Sequence, residues 1–139
     1  MSQSSAPTTT PGTWPEGTEL KEYSGGCHCS KFRFHFTHPP FENGEAKVMS
    51  CNCTICSQHG LLHIYVPESQ FEFTAGQPEQ LSSYQLLGKL TKHQFCPSCG
   101  SNIILRNEEE REVVVNVRAV DDVDVSKLDC IHFDGRNKL

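Results

Sequence analysis

Met49-Ser50-Cys51-Asn52-Cys53-Thr54-Ile55-Cys56-Ser57-Gln58-His59-Gly60 carries three thiols within six positions, at C-x-C-x-x-C spacing. No apolar core needs thiols packed so densely. A divalent metal does, because each thiolate supplies one soft ligand and the short loop keeps all three within reach of one ion. Two further pairs are Cys27-His28-Cys29 and Cys96-Pro97-Ser98-Cys99. In C-x-C spacing on an extended segment both side chains project to one face. Cys96-Pro97-Ser98-Cys99-Gly100 has the form of a zinc knuckle: a tight turn whose amides donate to sulfur, with a glycine free to take positive φ after the second thiol. The two pairs together supply the four thiolates of a closed tetrahedral site. Cys27, Cys29, Cys96 and Cys99 are therefore assigned to a structural zinc that contributes folding free energy directly.

Cys51, Cys53 and Cys56 remain as a group of three. Three protein ligands plus an open position is the pattern of a reactive zinc, and structural sites usually have four. An open zinc can bind a substrate thiol and hold it as thiolate, polarise a carbonyl or bind water. A fourth protein ligand would close the site, and His59, His63 and Cys130 are the candidates. His59 has three readings: closing ligand, proton shuttle and catalytic residue, or ordinary loop histidine. His28, between two ligands, is expected to point away from the first metal. Cys130 stands alone, as a small buried hydrophobe does.

The surrounding segments read as short strands. Lys31-Phe32-Arg33-Phe34-His35-Phe36 alternates, which puts Phe32, Phe34 and Phe36 on a core face and His35 opposite. Gly25-Gly26 lets the chain turn sharply before Cys27. Extended segments are expected at Glu19–Ser24, Ala46–Ser50, Leu61–Val66, Phe71–Phe73, Leu81–Leu87 and Thr91–Phe95. Ser101–Arg106 and Glu112–Val117 form a hairpin across a charged connection. Val120–Val125 is ambiguous, and Phe133-Asp134-Gly135 is a turn signal. No amphipathic helix exceeds a turn or two. The class is mainly β: folded-over sheets stapled by zinc, with little helix.

At 139 residues, the chain is expected to be a single zinc domain over residues 19–139. Residues 1–18, rich in Ser, Thr and Pro, are expected to be a disordered tail. A net charge of -5 with scattered Lys and Arg offers no basic stripe, which argues against nucleic-acid or anionic-membrane partners. Apolar runs fall far short of a bilayer span. The N-terminus lacks a signal's charged and apolar regions, so a reducing cytoplasmic setting is expected, where paired cysteines read as metal ligands before disulfides.

Three motifs carry a family resemblance: Gly26-Cys27-His28-Cys29; Cys51-Asn52-Cys53-Thr54-Ile55-Cys56 with Gly60; and Phe95-Cys96-Pro97-Ser98-Cys99-Gly100. In order and spacing the chain resembles the glutathione-dependent formaldehyde-activating enzyme family, the Gfa or CENP-V-type domain, over about residues 20–135. The resemblance implies an Mss4-like fold and two zinc ions per chain, with glutathione handled at the Cys51, Cys53 and Cys56 zinc. It implies a carbon–sulfur lyase that joins glutathione to formaldehyde as S-(hydroxymethyl)glutathione. Ser57 stands where many members have Arg, and Ser30 where many have Gly. The expected function is a zinc-dependent carbon–sulfur lyase acting on glutathione or another thiol, with an aldehyde or thioether-type substrate. The rival is a non-catalytic zinc-stapled interaction module of the same fold. Methionine sulfoxide reduction is a third reading and would need Cys130 as a reactive thiol.

Overall fold

The computed structural model describes residues 14–85, 88–107 and 109–138. Alternation builds the first sheet. Strand β2 (Arg33–His38) places Phe34 and Phe36 inward, continuing from Phe32, and the three are 0–1% exposed. It pairs antiparallel with β1 (Lys21–Gly26) on one side and β5 (Phe71–Ala75) on the other. Each buried Phe contributes roughly 1.5–3 kcal/mol through apolar burial. His35 lies on the opposite face, 3.5 Å from Glu22.

The second sheet has seven strands among the described residues, in the order β10-β3-β4-β9-β8-β7-β6. These are β3 (Lys47–Cys51), β4 (His63–Pro67), β6 (Ser82–Gln85), β7 (Lys92–Phe95), β8 (Asn102–Arg106), β9 (Glu112–Asn116) and β10 (Asp129–Phe133). The expected hairpin is the β8–β9 pair. Of the expected Leu81–Leu87 segment, Leu86 and Leu87 lie outside the described residues. Ile64, Val66, Val113 and Val115 meet the phenylalanines of the first sheet in one core, and all four are at most 2% exposed. The fold is therefore mainly β, two sheets folded over one another, as the short alternating runs imply.

Gly25 is the close-approach point between β1 and the turn that follows β9. A Cβ there would stand 2.3 Å from the Ala119 carbonyl oxygen and 2.6 Å from the Phe34 ring. Only a residue without a side chain lets Gly25 bridge to Val120.

The turn signal at Phe133-Asp134-Gly135 follows a strand that the sequence reading did not give: β10, which runs parallel to β3, ends there and leads into the short helix α2 (Gly135–Lys138). Of residues 1–18, those numbered 1–13 lie outside the described residues. Trp14 is 6% exposed, donates from Nε1 to the Thr37 carbonyl at 3.0 Å and stacks edge-on against His38.

Candidate metal centres

The first centre joins two turns. Cys27 and Cys29 lie in the turn from β1 to β2, where Ser30 takes φ 66 and its amide donates to the Cys27 carbonyl. Cys96 and Cys99 lie in the turn from β7 to β8, where Gly100 takes φ 80 and its amide donates to the Cys96 carbonyl at 2.8 Å. All four sulfurs lie within 4.8 Å of one another. Cys27 and Cys29 Sγ are 3.6 Å apart, and Cys29 and Cys96 Sγ are 3.7 Å apart. Sulfurs about 2.3 Å from a central zinc stand about 3.8 Å apart at tetrahedral corners, so this donor set fits such an ion. Backbone amides already point at the sulfurs, from Phe32 to Cys27 (3.3 Å) and from Ser98 and Cys99 to Cys96 (3.3 and 3.4 Å).

Ser101 ties the two turns together. Its hydroxyl accepts from the His28 amide at 3.1 Å, which leaves its proton for Cys99 Sγ at 3.3 Å. That side-chain bond, with the Ser101 backbone bond, pushes the Cys99 thiol down to about 5. The His28 side chain is exposed.

The second group is built by β3 and one short helix, α1 (Thr54–His59). Cys51 ends the strand, Cys53 caps the helix, and Cys56 is its buried residue. Their sulfurs lie within 4.8 Å of one another. The side chain of Cys53 makes no capping bond, so its sulfur is left for other partners. Gly60 ends the helix at φ 65, which turns the chain back toward β4. The residues that back this group are Leu61, Leu105, Val114 and Phe133, a smaller apolar cluster separate from the main core.

A family model, described as glutathione-dependent formaldehyde-activating enzyme, matches residues 22–132. The chain belongs to this family. It is also similar to a Rhodobacter sphaeroides protein whose crystal structure was solved as a structural-genomics target. The two are 25% identical, with a TM-score of 0.62, and the match covers 78% of this chain and 99% of that one.

In this member of the formaldehyde-activating family the two thiol groups have different surroundings. Burial, then the bond to Cys53, pushes the Cys56 thiol up. Burial also acts to raise Cys53, but hydrogen bonds from the Cys56 amide and side chain outweigh it and leave that thiol below its ordinary value. The central three are thus unequal, with Cys53 the readiest thiolate.

The three fourth-ligand candidates separate clearly. His63 is 5% exposed, and its Nε2 stands 3.8 Å from Cys56 Sγ. Burial, then the neighbouring His93, pushes its pKa down to about 4, so the ring is neutral. Its nitrogens nevertheless fall outside the group of three mutually close sulfurs. His59 is exposed at the end of α1 and lines a cleft instead. Cys130 packs against the main core, away from the smaller cluster that holds Cys51, Cys53 and Cys56. Sequence reasoning did not single out His93, Ser101, Asn116 or Arg118; the last three each join a local bond to a partner farther off in the chain, His28, Asn102 and Gly60 respectively. No helix among the described residues is long and apolar enough to cross a membrane.

Proposed function

We propose that this chain is a zinc-dependent carbon–sulfur lyase-like enzyme that handles glutathione or a related thiol and its aldehyde adduct in the cytoplasm. The observation carrying this reading is the division of seven thiols into a group of four and a group of three. Cys27, Cys29, Cys96 and Cys99 would hold a structural zinc, and Cys51, Cys53 and Cys56 a second zinc with one position open. That second ion would bind the sulfur of the substrate and favour its thiolate form.

The chain's own residues set the rest. β3 and α1 fix the three sulfurs on one side, and Leu61 and Leu105 keep water from reaching them through the fold. His63 packs beside Cys56 and orients its sulfur. His59 lies three residues after Cys56 in the same helix, hence on a neighbouring part of its surface. It is exposed, and it exchanges the substrate proton with solvent. In the synthetic direction sulfur bonds to the carbonyl carbon, the π pair moves to oxygen, and the thiol proton ends on that oxygen. The reverse direction breaks the same C–S bond. Holding both reactants in one place removes much of the entropic cost of encounter.

The test is zinc per chain in protein purified under reducing conditions, for the parent and Cys51→Ser. Two ions in the parent and about one in the variant agree with the reading; one ion in both contradicts it. A second reading, a zinc-stapled interaction module with no catalysis, draws on the nearness of His63 Nε2 to Cys56. It requires a site closed by His63. Cobalt substitution separates the two: the visible spectrum shifts on adding glutathione only where a position is open.

A further inference from the structure

A cleft of about 430 Å³ runs between the first thiol centre and the end of α1. It does not include Cys51, Cys53 or Cys56. Cys27, His28 and Ser101 line it from the first centre, and His59 and Arg118 line it beside the helix. Two formal charges in it are already matched, since Arg33 and Asp121 form a two-point ion pair.

Arg118 is different. Asn116, 6% exposed, accepts from the Arg118 amide at 3.2 Å and donates to the Asn102 carbonyl at 3.0 Å. This fixes the short turn that follows β9 and carries Arg118. The Arg118 Nε donates to the Gly60 carbonyl at 2.8 Å. The guanidinium is therefore anchored at its stem end, while among the described residues its two terminal nitrogens take no protein partner. A planar fork held in this way presents paired donors suited to a carboxylate. A metal dication within four thiolates leaves the neighbouring centre net negative. That disfavours a dianionic phosphate in this cleft more than a singly charged carboxylate.

We propose that the Arg118 cleft binds the carboxylate one residue C-terminal to the substrate thiol, the glycine carboxylate in glutathione. This rests on the thiol-handling reading above. The two places are joined by one short element: α1 carries Cys56, its last residue His59 lines the cleft, and the Gly60 carbonyl that ends it holds Arg118. Arg118 makes the site selective for thiols that carry this carboxylate over equally reactive thiols that lack it.

The experiment is calorimetric binding of glutathione and of its glycine ethyl ester to zinc-loaded parent, Arg118→Gln and Arg118→Lys. Zinc content and circular dichroism are recorded for each. The parent is expected to bind glutathione about tenfold or more tightly than the ester, as the loss of a charge-assisted pair implies. Arg118→Gln should lose that preference, the acid and the ester binding about equally. Arg118→Lys should keep part of it. Equal binding of the acid and the ester by the parent overturns the inference and leaves the thiol reading standing, and this comparison needs no variant. Failure of the zinc-loaded parent to bind either compound overturns both.

Discussion

The side-chain amide of Asn52 donates to Asp134 Oδ1 at 2.9 Å, and its carbonyl oxygen accepts from the Arg136 amide at 2.8 Å. One residue between two candidate ligands is thus clamped to the end of the chain. The Asn52 amide also donates to the Phe133 carbonyl, and Phe133 stands beside Cys51 in the parallel pairing of β10 with β3. The three-thiol loop is held from outside by residues more than 80 positions away, |i−j| being 82 and 84.

Asn52→Ala is expected to lower zinc affinity at the three-thiol group by about tenfold, the usual effect of removing a group that orients ligands. The four-thiol centre should be unaffected. Competition with a chromogenic chelator reads the two ions separately; equal weakening of both would mean that the clamp supports the fold rather than the loop.

Ser101→Ala addresses the other centre. With the hydroxyl gone, Cys99 loses the first cause that holds its thiol down to about 5. A less acidic thiol competes less well for metal against protons. Zinc should therefore leave the four-thiol centre at a higher pH than in the parent, with affinity about tenfold lower at neutral pH. Zinc release during an acid titration measures this, and an unchanged release curve would dismiss Ser101 as a support.

Both clamps show which features the sequence could disclose. The spacing of the cysteines is itself the chemical signal, so the groups of four and three were legible at once. Phe32, Phe34 and Phe36 were legible because alternation along one strand is local. β10 was not, because Cys130, Ile131 and Phe133 are half-buried without alternation and their partner strand lies far back in the chain. Arg118 was equally hidden, since its bond to Gly60 spans 58 positions and nothing around either residue announces the other. His63 could be named as a candidate near Cys56, but its approach to that sulfur depends on how Gly60 turns the chain into β4.

Ser30 offers a stabilising substitution. It takes φ 66, in the left-handed region that costs a residue with a Cβ roughly 1–2 kcal/mol. Ser30→Gly removes that cost and adds roughly 0.5–1 kcal/mol of backbone entropy to the unfolded chain. A net gain of about 0.5–1 kcal/mol is expected from these two effects. Denaturant unfolding of the zinc-loaded protein is the measurement, and a loss of stability would show that the serine side chain contributes something beyond its backbone angle.

His38 makes stability depend on pH. It is 2% exposed, packed edge-on against Trp14 and Phe41, and its Nδ1 donates to the Pro39 carbonyl at 2.7 Å. Burial lowers its pKa to about 4, with the Pro39 bond opposing. The unfolded chain has the ordinary value of about 6.5 and so binds the proton first as pH falls. The stability tied to a neutral His38 is fully present above pH 6.5 and is lost as pH drops toward 4, by at most about 3 kcal/mol. His38→Phe keeps a ring in place and cannot titrate. Its stability should change less between pH 7 and pH 5 than the parent's, measured by urea unfolding with zinc loaded at both pH values. Identical slopes would mean that the buried ring is protonated, or that acid acts through the thiol centres alone.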